Sequence, residues 1–188
     1  MDLGLSVKWA TCNVGANAPE EYGDYFAWGE TEPKEVYEWS TYKWCNGSDN
    51  TQTKYCTNSS YGTVDNKTQL DKEDDAASVN WGGAWRMPTE EEIDELRTDC
   101  TWEVDTLNGV AGLILTGPNG NNIFIPASGY YGDYNKMEGE THVVCWASNM
   151  KRYYDYQAYA FYIGPNNFDI HALGFKHFGF TIRPVFNE

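Results

Sequence analysis

The carboxyl-terminal quarter of the chain carries more aromatic rings than a few strands can bury on one inward face. Residues 145–188 contain one Trp, five Tyr and six Phe. In the string QAYAFYIG the residues follow the two-residue period of a strand, so Tyr162 faces one way while Tyr159 and Phe161 face the other. Rings on both faces exceed what a single core layer requires. We therefore expect part of this aromatic set to face solvent.

An aromatic-rich core explains some of these residues, and a recognition surface explains others. The predicted core members are Trp146, Phe161, Ile163, Ile182 and Val185. The string KRYYDY differs, because exposed Tyr among mixed polar neighbours is typical of adaptable recognition surfaces. The predicted ligand-binding residues are Tyr153, Tyr154, Asp155, Tyr156, Tyr162, Asp169, His171, Phe175, His177 and Phe178. Rings would supply contact area, and Asp and His would orient polar partners; for the two histidines a solvated loop position is an equal alternative.

Length and charge argue against several classes of protein. At 188 residues with 41% apolar residues, the chain can bury a core, and one domain spanning residues 1–188 is the simplest organisation. The net charge is −15, and residues 1–144 alone carry −16. Nucleic acid is not expected as a partner, because phosphate binding needs a basic field. The longest apolar run, VAGLILTG, is too short to cross a bilayer, so we expect no membrane insertion of this domain.

Five cysteines leave at least one thiol unpaired in a monomer. Cys45 and Cys56 bracket the turn-rich string CNGSDNTQTKYC, for which a disulfide hairpin and two free thiols are equal alternatives. No CxxC motif is present, and a strand would place His142 and Cys145 on opposite faces. Neither a zinc site nor a local Cys/His nucleophile pair is therefore predicted.

An acidic cluster in the middle of the chain has two interpretations, a calcium site or the start of a helix. Its members are Asp65, Asp71, Glu73, Asp74 and Asp75. The spacing lacks the D-x-[DN]-x-[DN]-G pattern of a calcium loop, whereas acids in a first helical turn favour the helix. The helix is the preferred interpretation. No metal and no cofactor is predicted for the chain.

Local patterns predict an α+β protein with two short helices, antiparallel sheets and long ordered loops. Thr89 and Glu92 form a capping box that begins a helix over residues 90–99, with Ile93, Leu96 and Cys100 as its apolar stripe. The other predicted elements are a strand at 5–10, a strand at 25–28, a loop at 36–63, a short helix between Asp71 and Gly82, a hairpin around 117–120 and a loop at 130–142.

Several tryptophans and two arginine-containing strings are predicted to hold the interior together. Trp81, Trp85 and Met87 join Trp146 as predicted core residues. Arg86 and Arg183 are predicted to tie the strings WRMP and IRPV together by hydrogen bonds to backbone carbonyls or acids. Arg183→Ala is then expected to lower stability without a selective effect on ligand binding.

Four strings resemble one known family: DLGLSVKWATCNVGA, YGDYFAWGETEPK, DDAASVNWGGAWRMPTEEEIDEL and GFTIRPV. They are similar to the Fibrobacter-succinogenes-type major paralogous domain of surface proteins in gut Bacteroidales, and the resemblance covers nearly the whole chain. It implies a C-type-lectin-like fold, related to the formylglycine-generating-enzyme fold and to variable proteins of diversity-generating retroelements. It also implies export to the bacterial cell surface, with a signal or lipid anchor expected outside this chain.

The resemblance further implies a non-catalytic receptor or adhesin-like domain. In variable relatives, about 40 residues before an R-P-V ending present a changeable ligand surface on a fixed scaffold. A monomer that binds a protein or glycan on another cell or surface is therefore expected. The chain departs from its relatives at Cys145-Trp146-Ala147-Ser148, where an aromatic residue usually precedes Trp-Ser-Ser. It also lacks the Glu-Pro-Asn and Trp-Asn-Asp motifs of calcium-dependent lectins, so calcium-mediated sugar binding is not expected.

Two other functions compete with the receptor hypothesis. A pilus or stalk subunit would pack the same rings against a neighbouring protomer, and self-association in solution distinguishes it from a monomeric receptor. A formylglycine-generating-enzyme-like oxidase would need two reactive cysteines near the carboxyl end, where Cys145 is the only one. The sequence has no G-x-S-x-G, no H-E-x-x-H and no phosphate-binding glycine loop. No catalytic residue is predicted.

Overall fold

The protein is α+β, with two α-helices and mostly antiparallel sheets in the part of the chain that is described. The computed structural model describes residues 1–132, 135–137, 142–164 and 167–187, with the backbone alone at 135–137 and 167–173. The helices are Ala76–Trp81 (α1) and Glu90–Thr98 (α2), and 3-10 turns lie at Trp39–Thr41 and Lys72–Asp74. The strands are Lys8–Trp9 (β1), Trp85–Arg86 (β2), Thr101–Leu107 (β3), Val110–Thr116 (β4), Asn122–Pro126 (β5), Tyr130–Gly132 (β6), Asn135–Met137 (β7), Val143–Met150 (β8), Gln157–Gly164 (β9), Asn167–Phe175 (β10) and Val185–Phe186 (β11).

The central sheet runs in the order β10-β9-β8 and is covered on both faces. On β8, Cys145 joins the apolar cluster that contains α2, while Trp146 joins the cluster that contains α1. The predicted alternation on β9 is confirmed: positions 159, 161 and 163 contact the first cluster, and positions 158, 160 and 162 contact the second. Because both faces are buried, the rings of β9 that seemed in excess are divided between two cores.

Helix α2 forms as its sequence predicts. The Thr89 hydroxyl accepts from the Glu92 amide at 3.3 Å, and the Glu92 carboxylate accepts from the Thr89 amide at 2.8 Å. Ile93 and Leu96 are buried against the central sheet, and Cys100 is buried just beyond the helix. The capping box thus fixes where the helix begins, and its apolar stripe fixes which face packs.

The acidic cluster begins α1 and pairs with a lysine from the long loop. Asp75 caps α1 by accepting from the Ser78 amide at 2.8 Å, and its other oxygen accepts from the Met87 amide at 2.9 Å. Lys54 lies 2.6 Å from both Asp71 and Asp74. The helix begins later than Asp71, because residues 72–74 form a 3-10 turn first. Within the described ranges, no three His, Cys, Asp or Glu side chains come together as a metal site.

The peripheral strands differ in part from their predictions. The hairpin around residues 117–120 is confirmed as β4 and β5. Strand β3 was not predicted, and β6 and β7 pair within the segment predicted as a loop. The strand predicted at 5–10 is reduced to the two residues of β1, and the one predicted at 25–28 is a single bridge between Phe26 and Phe180. Strand β1 and the bridge between Phe26 and Phe180 depend on partners far along the chain, which local patterns do not specify, whereas β3 and β6 each pair with the strand that follows them.

The two ends of the chain meet in the small sheet β1-β11-β2. Arg183 is fully buried, and it donates from Nε to Asn13 Oδ1 at 2.8 Å and from one terminal nitrogen to the Ala10 carbonyl at 3.1 Å. Arg86 donates to Glu92 at 2.7 Å and to Asn187 at 2.9 Å. Arg86 links the string WRMP to Asn187, just beyond IRPV, whereas Arg183 reaches the first strand region, so the prediction that Arg183 ties IRPV to WRMP is wrong.

The predicted core is largely confirmed. Its members Trp146, Phe161, Ile163, Ile182, Val185 and Met87 are all buried. Trp81 is half-buried and packs against the second apolar cluster, whereas the half-buried Trp85 packs against none of the apolar clusters, so the core prediction is wrong for Trp85. Their rings meet edge to face at 5.0 Å beside the sheet β1-β11-β2. None of the helices described has the length and apolar character needed to cross a membrane.

Candidate binding surface

Three strongly exposed rings lie at one end of the central sheet. Tyr153, Tyr154 and Phe175 are 59%, 46% and 39% exposed. The two tyrosines lie in the turn between β8 and β9, and Phe175 ends β10, where it pairs with Gln157 at the start of β9. The antiparallel register therefore brings together rings that are about 20 residues apart in sequence.

Ring contacts through Tyr156 join Tyr154 and Phe175 into one patch, and Tyr153 is the sequence neighbour of Tyr154 in the same turn. Tyr156 lies 6.5 Å from Tyr154, 6.0 Å from Phe175 and 5.2 Å from Tyr61, measured between ring centroids. We call the five residues Tyr61, Tyr153, Tyr154, Tyr156 and Phe175 the aromatic surface. Aromatic pairs at these separations attract one another beyond simple burial of area. The patch is therefore a contiguous ring-lined surface, not scattered exposed residues.

Phe178 connects the aromatic surface to the core. Its ring meets Phe175 edge to face at 5.2 Å and stacks on Tyr130 at 5.6 Å. Tyr130 in turn contacts the buried Phe180 at 5.4 Å. This row of rings supports the exposed patch from beneath.

The turn that presents the tyrosines is unusual in backbone and in charge. Tyr153 adopts a φ of 71°, in the left-handed region that large side chains rarely occupy. Lys151 lies 5.1 Å from the Tyr154 ring centroid and Arg152 lies 5.2 Å from that of Tyr153. The negative face of an aromatic ring attracts a cation placed over it. Two positive charges thus border the aromatic surface of a protein whose net charge is −15.

Asp155 lies beneath the surface, not on it. Its side chain is fully buried and accepts from the Thr57 amide at 2.8 Å, the Thr57 hydroxyl at 2.7 Å and the Asn58 amide at 2.7 Å. The prediction that Asp155 contacts ligand from the surface is therefore corrected. This carboxylate instead holds the β8–β9 turn to the loop that supplies Tyr61.

Lys176, which follows Phe175, is also fully buried. Its ammonium donates to the Tyr55 carbonyl at 2.9 Å and lies 4.9 Å from the Trp28 ring centroid. Its amide donates to the Tyr156 carbonyl at 3.0 Å. Burial lowers the pKa of Lys176 to about 7, although the charges of Asp155, Cys56 and Asp65 act in the opposite direction. The aromatic surface therefore rests on two buried ionisable groups.

The low pKa of Lys176 predicts a specific pH dependence of stability. Above pH 7 the unfolded lysine keeps its proton up to about pH 10.4, whereas the folded one loses it, so stability rises with pH across this window. Below pH 7 both states are protonated and the contribution is constant. We expect the unfolding free energy of wild type minus that of Lys176→Met to rise by about 2 kcal/mol between pH 7 and pH 9. Urea titrations of both proteins at several pH values measure it; a flat difference contradicts a depressed pKa.

His177 is buried, which corrects both predictions made for it. Its ring lies 4.3 Å from Trp39 and 4.7 Å from Phe178, so it is neither a contact residue nor solvated. Phe178 is half-buried and supports the patch rather than forming it. Trp39 extends this support into the loop at 36–63.

Tyr162 and Asp169 belong to the other end of the sheet. Tyr162 lies six residues from Tyr156 along β9, which is about 20 Å at the usual rise of a strand. Its half-buried ring lies 5.2 Å from that of His142, and its backbone partner is Asp169. The predicted set therefore does not form one surface. The side chains of Asp169 and His171 lie outside the described residues.

Sequence reasoning missed Tyr61. It lies in the loop predicted at 36–63, where no periodic pattern marks any residue as a contributor. The same loop holds Cys45 and Cys56, which are both free thiols, so the disulfide alternative is not the one observed. Burial raises the pKa of Cys56, and its thiol lies 3.5 Å from an Asp155 oxygen. Hydrogen bonds to Asp155, not a disulfide, anchor this part of the loop.

Known proteins offer no independent assignment of this surface. Comparisons with protein-family models, curated proteins and solved structures give no match for this chain. The resemblance carried by the four sequence strings accordingly stays a proposal. The function is inferred from the contiguous rings, their exposure and the buried charges beneath them.

Proposed function

We propose that this protein is a non-catalytic ligand-binding domain, receptor-like or adhesin-like, that uses the aromatic surface to hold a protein or glycan on another cell or surface. One observation carries the proposal: the exposed rings of Tyr154 and Phe175 meet through the half-buried Tyr156, in turns that the fully buried Asp155 and Lys176 anchor. Rings held in place before binding lose little conformational entropy when a partner arrives. A ring-lined surface of this kind supports ligand binding and requires no catalytic group.

The proposed setting is a monomeric domain of an exported bacterial surface protein, possessing a C-type-lectin-like fold of the Fibrobacter-succinogenes-type family. The two helices and the carboxyl-terminal antiparallel sheet β8–β10 support this assignment. The position of Tyr153, Tyr154 and Phe175 in the last third of the chain is consistent with a variable protein of a diversity-generating retroelement. Sequencing the locus from several isolates tests this: variation confined to exposed positions is expected.

The environment of Cys145 favours binding over an oxidase activity. Its thiol is buried, and burial raises its pKa, so the reactive thiolate is disfavoured at neutral pH. It lies 3.3 Å from the Thr181 hydroxyl inside the first apolar cluster. This is the environment of a structural cysteine, not of a nucleophile.

The test replaces exposed rings without touching the buried support. We expect a variant with Tyr153→Ser, Tyr154→Ser and Phe175→Ser to lose at least tenfold in affinity, roughly the weight of one or two interface hot spots. The matched control carries Val64→Ser and Val79→Ser, which remove exposed apolar groups elsewhere. Binding to a glycan array and a panel of cell-surface proteins is measured for all three proteins, after thermal melts confirm that they are folded.

Three outcomes are informative. Loss of a partner in the ring variant but not in the control supports the proposal. Equal binding by both variants contradicts it, as does failure of wild type to bind any member of either panel. Concentration-dependent self-association of wild type that the ring variant abolishes would instead favour the pilus or stalk alternative.

A further inference from the structure

Strand β3 is an edge strand that is exposed on both faces. Residues 101–106 are all exposed, and in the described part of the chain the sheet order β3-β4-β5 gives β3 one hydrogen-bonded neighbour. It pairs with β4 over seven consecutive residues without a shift in register. Alternate residues of such a strand direct N–H and C=O groups away from β4, where another chain could accept them.

The inner face of β3 continues the apolar core outward. Trp102 pairs with Leu115 and Val104 pairs with Leu113, and both leucines are buried in the first apolar cluster. Val104 is 71% exposed and Trp102 is 44% exposed. The row of apolar side chains that begins in the core therefore runs to the open edge of the sheet.

The outer face of β3 is acidic. Glu103 and Asp105 point to the face opposite Val104, because side chains alternate along a strand. Pairing of two copies of β3 centred on Val104 would put Glu103 of each copy opposite Asp105 of the other, which is repulsive. The edge carries none of the other usual protections, since residues 101–107 contain no Lys, Pro or bulge. Pairing with a second copy in this register is therefore disfavoured, and pairing with a basic strand is favoured.

We propose that β3 is a docking strand for an extended segment of a partner protein in which apolar residues alternate with Lys or Arg. Backbone groups of the segment would extend the sheet β3-β4-β5 by one strand. Its apolar residues would cover Trp102 and Val104, and its cations would lie opposite Glu103 and Asp105. The net charge of −15 would further attract such a segment. This surface is separate from the aromatic surface.

Two labelled peptides of the length of β3 test the proposal with the full chain. One alternates valine with lysine and the other alternates valine with glutamate. We expect wild type to bind the lysine peptide and not the glutamate peptide. The bound lysine peptide should slow hydrogen exchange of the amides in residues 101–107. Glu103→Lys with Asp105→Lys should lower the affinity for the lysine peptide by roughly tenfold or more, since two attractive cross-strand pairs become repulsive. The same variant should bind the glutamate peptide.

The control separates docking from general attraction. Glu32→Lys with Glu35→Lys changes net charge by the same amount at exposed positions outside the sheet, and it should keep the preference for lysine. An equal loss of affinity for the lysine peptide in both charge variants would overturn the proposal. Unchanged hydrogen exchange of the β3 amides in the presence of this peptide would also overturn it. A wild-type dimer that Val104→Lys disperses would also overturn it, because the occupant would then be a second copy. The Tyr153, Tyr154 and Phe175 variant should bind the lysine peptide normally, so this result is independent of the proposed function.

Discussion

Replacing Asp155 with alanine is expected to lower the free energy of unfolding by about 3 to 5 kcal/mol. The carboxylate is fully buried and accepts hydrogen bonds from both amides and the hydroxyl that Thr57 and Asn58 provide. Alanine would leave these donors without their acceptor and remove the negative charge that favours protonated Lys176. Urea denaturation at neutral pH measures the loss.

Asp155→Asn is the matched control, because it keeps the shape and changes the charge. One amide oxygen can accept from Thr57 and Asn58, and the amide nitrogen can donate to the Thr57 hydroxyl. We expect Asn to retain most of the stability that Ala loses. Equal destabilisation by both would show that charge dominates over hydrogen bonding. The Tyr153 amide donates to the Thr57 hydroxyl at 3.1 Å and so links this network to the aromatic surface. Asp155→Ala should therefore also weaken ligand binding.

Arg183→Ala is expected to lower the free energy of unfolding by about 3 kcal/mol, through a cavity and two orphaned acceptors. The guanidinium is fully buried and donates to Asn13 and the Ala10 carbonyl, so its loss removes the side-chain bonds between the first and last segments while their backbone pairing stays. Thermal and urea unfolding measure the effect. Affinity for the ligand of the aromatic surface should be unchanged while the variant remains folded, because Arg183 lies in another part of the protein.

Arg183→Met separates volume from hydrogen bonding. Methionine fills much of the space without donors, so it should recover the cavity part of the loss but not the bonds to Asn13 and Ala10. Unchanged melting of Arg183→Ala together with lost binding would contradict a structural role. If Arg183→Ala lowers stability and Arg183→Met does not, the contribution of Arg183 comes from packing alone.

Local patterns predicted the elements that are held together by neighbours in sequence. The capping box at Thr89 and Glu92 closes over three residues, so it specifies the start of α2 without any tertiary contact. The hairpin turn at residues 117–120 likewise joins two apolar strands directly. In β9, the alternation of Tyr159, Phe161 and Tyr162 predicted two faces, and both proved to be packed against a core.

Elements with distant partners were misplaced, and some elements that pair with an adjacent strand were missed. Strand β3 carries a period-two pattern in Trp102, Glu103 and Val104 and joins β4 through the two-residue turn Asn108-Gly109, so local signals for this hairpin are present in the sequence although it was not predicted. Strands β6 and β7 are three residues each, which is too short for a periodic signal. The bridge between Phe26 and Phe180 joins residues more than 150 positions apart.

The sequence by itself determined that this chain has more rings than its core needs, and that Tyr153, Tyr154 and Phe175 would be among those facing water. Only the tertiary structure decided that Asp155 and His177 lie inside, that Tyr162 stands at the far end of the sheet, and that Tyr61 completes the patch. The physical reason is that local neighbours such as Lys151 and Arg152 mark the tyrosines of the β8–β9 turn as exposed without any tertiary contact. Burial of a particular side chain depends instead on hydrogen-bond donors and ring partners that folding brings from elsewhere in the chain, as the Thr57 and Asn58 donors do for Asp155.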